Sequence, residues 1–283
     1  MNLPTAPPVA STSMRRGPDW NVIGAIVRKD LTAVRRAKAV IIPMLAVPTL
    51  LLVVMPLLIG LAARNQEADL SNFLGSMPSG LAGPIQELPA REQLIVLVNG
   101  YLLAPLFLIV PLMVSAVLAA DAFAGEKERR TMESLLHLPI DNRDLFLAKF
   151  LGAYIPAVLV SWIGFVLFCI VANSVAWGVM HRIFVPTQLW MVMILWVAPA
   201  VAALGLGVMV RVSVRARSTQ EANQLGGAVV LPLIFLAVGQ SSGLLLLDLP
   251  IALGIGGVVW AIAIWLNLRG ARRFTRDELA TRI

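Results

Sequence analysis

Six stretches of this 283-residue chain contain no Asp, Glu, Lys or Arg, and each is long enough to cross a bilayer. They are Ala39–Ala63, Leu94–Ala120, Leu151–Ala176, Leu189–Val210, Leu225–Leu247 and Ile251–Leu268, with lengths of 25, 27, 26, 22, 23 and 18 residues. A hydrocarbon core about 30 Å thick takes about 20 apolar residues in helical form. Inside it every backbone N–H and C=O must be bonded within the chain, so open segments fold there as helices. The reading is an all-α, polytopic membrane protein with six transmembrane helices. Composition agrees: 58% of residues are hydrophobic, 14% are charged and the mean hydropathy is +0.82, whereas soluble domains are about 25% charged. The longest piece outside the spans is the N-terminal 38 residues, below the roughly 50 that a separate soluble domain needs. One transmembrane domain over 39–268 is therefore expected. A disordered tail at 1–18 and an amphipathic interfacial helix at 19–38 precede it, and a tail at 269–283 follows.

The charges orient these spans. The formal net charge of +7 would point to nucleic acid in a soluble protein, but twenty of the 23 Lys and Arg residues fall in alternate pieces: 1–38, 121–150, 211–224 and 269–283. The positive-inside rule places those pieces in the cytoplasm. Both termini then lie inside a multi-pass protein of the cell (inner or plasma) membrane, with lipid and no nucleic acid as partner. Met1–Pro18 has no apolar centre and does not read as a signal peptide. Cys169, the single cysteine, lies within the third span, so no disulfide forms within the chain, and it reads as a small apolar filler.

Two of the cytoplasmic pieces are amphipathic. In Asp19–Lys38, Trp20, Ile23, Val27, Leu31 and Val34 recur at steps of three and four among Arg28, Lys29, Arg35, Arg36 and Lys38. That pattern suits a helix lying in the headgroup layer with Trp20 as anchor, and a cap over the bundle is the blander reading. In Asp121–Phe150, Met132, Leu135 and Leu136 make a narrow apolar stripe. Glu126 with Arg130, and Arg129 with Glu133, are i,i+4 pairs on the wet side. Pro139 ends this helix and Asp141 caps the next. A solvated face and a docking helix for a cytosolic protein both fit this cluster.

The spans hold no charge, which disfavours a proton-coupled carrier or a voltage sensor. Asn99, Tyr101, Ser115, Tyr154, Ser161, Asn173, Ser174, Gln240, Ser241 and Ser242 remain as neutral polar groups, for a substrate path or for bonds between helices. Trp177, Trp190 and Trp196 read as interface anchors. The outer loop Arg64–Gln93, rich in Gly and Pro, reads as a solvated cap. No phosphate-binding G-x-x-x-x-G-K-[ST], H-E-x-x-H or G-x-S-x-G pattern occurs, and His137 and His181 fall on opposite sides. No catalytic residue, metal site or bound cofactor is expected, and the chain does not read as an enzyme by itself.

The segment E-K-E-R-R-T-M-E-S-L-L-H-L-P, Glu126–Pro139, followed by Leu145, Leu147 and Lys149, resembles the cytoplasmic loop of ABC-2 type transporter permeases, the membrane subunits of type V ABC exporters. Their pattern is roughly E-[KR]-E-x-x-T-x-E-x-L-L-x-x-P, then L-x-x-K. Glu126, Lys127, Glu128, Thr131, Glu133, Leu135, Leu136, Pro139 and Lys149 match it, and Arg130 stands where many members have Gly. S-T-Q-E-A-N-Q at Ser218–Gln224 resembles a segment before the fifth span in the branch linked to sodium, antibiotic or peptide export. The resemblance implies two membrane subunits, as a homodimer, working with two copies of a separate ATPase that binds ATP and Mg. It makes the helix at Glu126–Leu138, Arg129 included, the coupling helix, with the N-terminal helix beside it. It also implies a re-entrant piece after the fifth helix, which then ends near Gly239.

The expected function is the permease half of an ATP-driven exporter. The charge-free spans point to a lipidic, amphiphilic, drug-like or peptide cargo. A non-transporting membrane anchor or assembly factor and a sodium-extruding permease are the alternatives. A carrier or channel acting alone fits the spans least.

Overall fold

A computed structural model of the protein describes residues 17–36, 38–65, 70–75, 79–125, 128, 141–216, 218–226, 231, 235, 239 and 249–273. Every described element is helical. Helix α1 (Trp20–Arg36) begins at Asp19, whose carboxylate accepts the amides of Asn21 and Val22 at 3.1 and 3.4 Å. That is an ordinary N-cap: the side chain satisfies donors that the first turn leaves unbonded. Among the described residues, five helices are long and apolar enough to cross a membrane: α2 (Met44–Arg64), α3 (Ala90–Gly125), α4 (Asn142–Met180), α5 (Gln188–Ser213) and, after the short α6 (Thr219–Gly226), α7 (Leu249–Arg272). The expected fifth span, Leu225–Leu247, lies mostly outside the described residues; Leu231, Phe235 and Gly239 within it are helical.

The helices run past the charge-free stretches. α3 has 36 residues and α4 has 39. At 1.5 Å per residue each is more than 50 Å long, well beyond a bilayer core of about 30 Å. Both helices extend into the loop expected at Asp121–Phe150: Asp121–Gly125 continues α3, and Asn142–Phe150 opens α4. The cause is local. Nothing between Ala120 and Gly125, or between Asn142 and Leu151, breaks a helix, and charge alone does not.

Prolines accompany three of the places where these helices widen, although Pro156 leaves α4 uninterrupted. Leu50–Val54, Val96–Leu102 and Met193–Val197 are π-helical turns, and each lies just ahead of a proline, Pro56, Pro105 and Pro199. Proline lacks an N–H, and its ring crowds the carbonyl four residues back. Those carbonyls belong to Leu52, Tyr101 and Leu195, each inside the widened turn. The turn absorbs the broken ladder without ending the helix. A fourth π turn, Asp121–Gly125, has no such proline behind it.

α3 and α5 form the centre of the bundle. Each has 67% of its most apolar window buried, against 28% for α2, 33% for α4 and 17% for α7. α4 packs on α3, α7 packs on α5, and α1 lies along α4. Small residues set these close approaches, as lipid-embedded helices require. A Cβ added at Gly205 of α5 would lie 2.6 Å from Ser115 Oγ and 3.3 Å from the Leu112 carbonyl oxygen of α3. Gly205→Val should therefore lower stability by about 1–3 kcal/mol through overpacking. A Cβ at Gly254 of α7 meets nothing within 4 Å, so Gly254→Ala should be neutral or slightly stabilising. Thermal unfolding of both variants in one detergent checks the contrast; equal melting would contradict it.

Trp190 departs from its expected role as an interface anchor. It is fully buried at 0% exposure, among Phe107, Phe165 and Phe168, with ring centroids 5.6, 5.4 and 4.7 Å away. Its indole N–H donates to the Asn99 carbonyl at 3.1 Å. Being near the end of an apolar stretch places a Trp at membrane depth, but the helix face it occupies decides between lipid and protein, and Trp190 faces α3 and α4. Trp177 and Trp196 keep exposed faces. Trp196 also donates to the Leu253 carbonyl and accepts from Trp260, which ties α5 to α7.

Candidate coupling site

Charged and polar side chains collect where α3 ends and α4 begins, on either side of the Glu126–Pro139 segment. Glu126, Lys127, Arg129, Thr131, Glu133, Leu135, Leu136 and Pro139 lie outside the described residues, and Glu128 is described. Three sets of bonds surround this segment.

The first set is made by Lys149. Its side chain is 1% exposed, its ammonium donates to the Ala122 carbonyl at 2.7 Å, and it sits 5.5 Å from the Phe123 ring centroid. Burying an ammonium costs several kcal/mol unless it is bonded and paired. Here the carbonyl and the ring face supply the electronegative partners of the ammonium. The bond joins the first turns of α4 to the π turn that ends α3. Both flanks of the segment are thereby held at one separation.

The second set is made by Asp144, which is buried in the first turn of α4 and accepts the Asp19 amide at 3.1 Å. The start of α1 is thus tied to the residues that follow the segment. Farther along, α1 presses Val27 and Asp30 against Gly152 of α4, where a Cβ would meet both at 3.9–4.0 Å. Ile23 is 2% exposed and packs in the bundle core, Val27 packs partly against it, Leu31 is half-buried, and Trp20 stands 64% exposed. The apolar stripe of α1 is therefore spent largely on protein, with Trp20 projecting from it.

The third set is made by Glu128. One carboxylate oxygen accepts both the amide and the hydroxyl of Thr219, each at 3.0 Å. The two motifs singled out in the sequence, 91 residues apart, meet here.

Among the described residues, the polar span residues do not converge. Asn99 is buried in a π turn of α3. Tyr101 packs partly with Leu74, Ala82, Ile85 and Leu97, at the end of the bundle away from Lys149. Ser115 and Ser161 are fully buried, and their hydroxyls donate within their own helices, to the Leu112 and Ala157 carbonyls at 2.9 and 2.8 Å. Tyr154 is half-buried one turn beyond Lys149 and stacks on Phe150 at 5.4 Å. Gln240 and Ser241 lie outside the described residues. Asn173 serves the fold instead. Its side-chain amide bonds to the backbone of Cys169, Phe184 and Val185, pinning the chain that leaves α4.

Sequence reading placed Lys149 in a motif without showing its burial. The available signal was a lone Lys between Ala148 and Phe150 at the edge of a charge-free stretch. Thr219 carried no such signal, because its partner comes from a distant loop.

Long apolar helices packed around α3 and α5 define a multi-pass, α-helical membrane protein. The family model described as ABC-2 family transporter protein matches residues 24–253, and the chain belongs to that family. It is thus a membrane transport component of an ABC transporter, whose partner is an ABC ATPase. A search of the curated proteins returned no match.

Proposed function

We propose that this chain is the permease of an ATP-driven exporter and that Glu126–Pro139 is the helix that seats on the ATPase. The observation that carries this reading is the Lys149 bond to Ala122, which joins the two flanks of the segment, the end of α3 and the start of α4. A push on a braced loop moves α3 and α4 as a unit, whereas a slack loop would absorb it. ATP and Mg bind the partner, and closure of two ATPase copies on each other supplies the motion. Two copies of the chain, as a homodimer in the cell membrane with both termini inside, would enclose the path between them. Trp20 is exposed toward the headgroup layer in this arrangement. A lipidic or amphiphilic cargo fits spans whose charge-free stretches offer no fixed ion site.

The test is co-expression with a candidate ABC ATPase partner, purification in mild detergent and reconstitution in vesicles containing a fluorescent phospholipid analogue. ATP-dependent movement of the probe supports export of amphiphiles. A stable complex that hydrolyses ATP and moves nothing supports the membrane-anchor alternative, and no bound ATPase overturns the reading. Glu133→Lys reverses a charge in the docking segment and should weaken ATPase binding about tenfold, equivalent to ~1.4 kcal/mol. Expression and membrane insertion should stay intact. Unchanged affinity in a titration with purified ATPase removes the segment from the mechanism.

A further inference from the structure

Glu128 offers one carboxylate oxygen to two donors of Thr219, its amide and its hydroxyl, both at 3.0 Å. Thr219 is the first residue of α6, and its amide is one that no intrahelical carbonyl reaches. Ser218 already caps the helix by accepting the Glu221 amide at 3.1 Å. Glu128 is therefore not needed to start the helix; it adds a charge-assisted grip at the positive end of the dipole. The far side of α6 is fixed as well. Ala222 is fully buried in the core, and Gly226 abuts Met209 of α5 so closely that a Cβ would collide with its sulfur. α6 runs straight into the fifth charge-free stretch, which begins at Leu225.

We propose that Glu128 is a positioning residue that ties the docking segment to α6, carrying its displacement into the fifth span as well as into α3 and α4. This rests on the functional reading above. One docking element then drives two routes: the Lys149 bond between α3 and α4, and the Glu128–Thr219 bond to α6. A bond of this exposed, charge-assisted kind holds Glu128 and α6 in register and releases without unfolding α6.

Thr219→Pro separates this role from a structural one. Proline is well accommodated at the first position of a helix, and the preceding cap residue already favours an extended backbone. The substitution removes both donors to Glu128 and leaves the Ser218 cap in place. A nitroxide is attached at the exposed Gln220, in a Cys169→Ser background, in the complete chain–ATPase complex. Its mobility is read before and after ATP with vanadate. In the parent complex the nucleotide should change the label's mobility. In Thr219→Pro the responding fraction should fall about fivefold, the low end of ordinary coupling factors, with ATP hydrolysis retained and Ala222 amide exchange unchanged. Thr219→Ser keeps both donors and should respond like the parent. Combining Thr219→Pro with Glu128→Ala should lose no more than Glu128→Ala alone.

A full response in Thr219→Pro, or additive losses in the double variant, overturns the assignment. So does a silent label in a parent complex that hydrolyses ATP, and in that case the functional reading stands. A chain that binds no ATPase overturns both.

Discussion

Trp190→Ala is expected to destabilise the protein by about 3–5 kcal/mol, the range for truncating a fully buried large aromatic. Little of that loss is hydrophobic, because lipid tails are as apolar as side chains and the hydrophobic effect between embedded helices is weak. The loss comes from packing and hydrogen bonding instead. Trp190 touches the rings of Phe107, Phe165 and Phe168, and so joins α3, α4 and α5 at one point. Such ring pairs contribute about 0.5–1.5 kcal/mol each beyond simple burial. Alanine also removes the indole donor from the Asn99 carbonyl, which sits in a π turn where the helical ladder is already disturbed. A buried acceptor left unbonded costs about 1–3 kcal/mol. Trp190→Phe keeps most of the ring contact and should lose only the hydrogen bond, about 1–2 kcal/mol. Trp177→Ala, at a position 53% exposed, should stay within about 0.5 kcal/mol of the parent. Thermal and denaturant unfolding in lipid nanodiscs rank the three. If Trp177→Ala were as damaging as Trp190→Ala, the central placement of Trp190 would be wrong.

Lys149→Ala carries the second large effect, a loss of about 3 kcal/mol. Two contributions add: the stem leaves a cavity in a site 1% exposed, and the Ala122 carbonyl loses a charged donor. Lys149→Met keeps the stem and removes the charge. Its carbonyl penalty is partly offset because no ammonium need be desolvated, so a net loss of about 1 kcal/mol is expected. Amide exchange localises the result: Asp121–Gly125 should exchange faster in both variants, while the amides held by Asn173 at the far end of α4 stay protected. On the proposed mechanism both variants also lower the movement driven per ATP more than they lower ATP hydrolysis, since a slack loop absorbs the push. A Met variant with wild-type exchange and wild-type coupling would show that the bond braces nothing.

The helical class and most of the span positions were legible because they follow from a one-dimensional rule. A stretch of about 20 predominantly apolar residues without charge reads as a membrane helix. The family was legible for a related reason: the resemblance to it lay in a run of neighbouring residues, Glu126–Pro139. The π turns were only partly legible: Pro56, Pro105 and Pro199 each strip a partner from a carbonyl inside the turn before it, but Pro156 sits in an uninterrupted α4 and the turn at Asp121–Gly125 has no such proline. Helix ends were less legible. Charge marks the edge of the apolar layer, whereas a helix stops only where its backbone ladder or its cap fails, and α3 and α4 accordingly run on through Asp121 and from Asn142.

Which face of each helix meets protein was not written in hydropathy at all. In lipid, a tryptophan turned inward and one turned outward are surrounded by equally apolar matter, so periodicity loses the contrast that reveals a core in water. Trp190 and Trp177 consequently looked alike, and only the packing of α5 against α3 and α4 separated them. The same holds for Lys149 and for Glu128 with Thr219. Each bond joins backbone or side-chain groups brought together by helix packing, across 27 and 91 residues of chain. Such proximity is a property of three-dimensional neighbours and leaves no periodic trace in a string of residues.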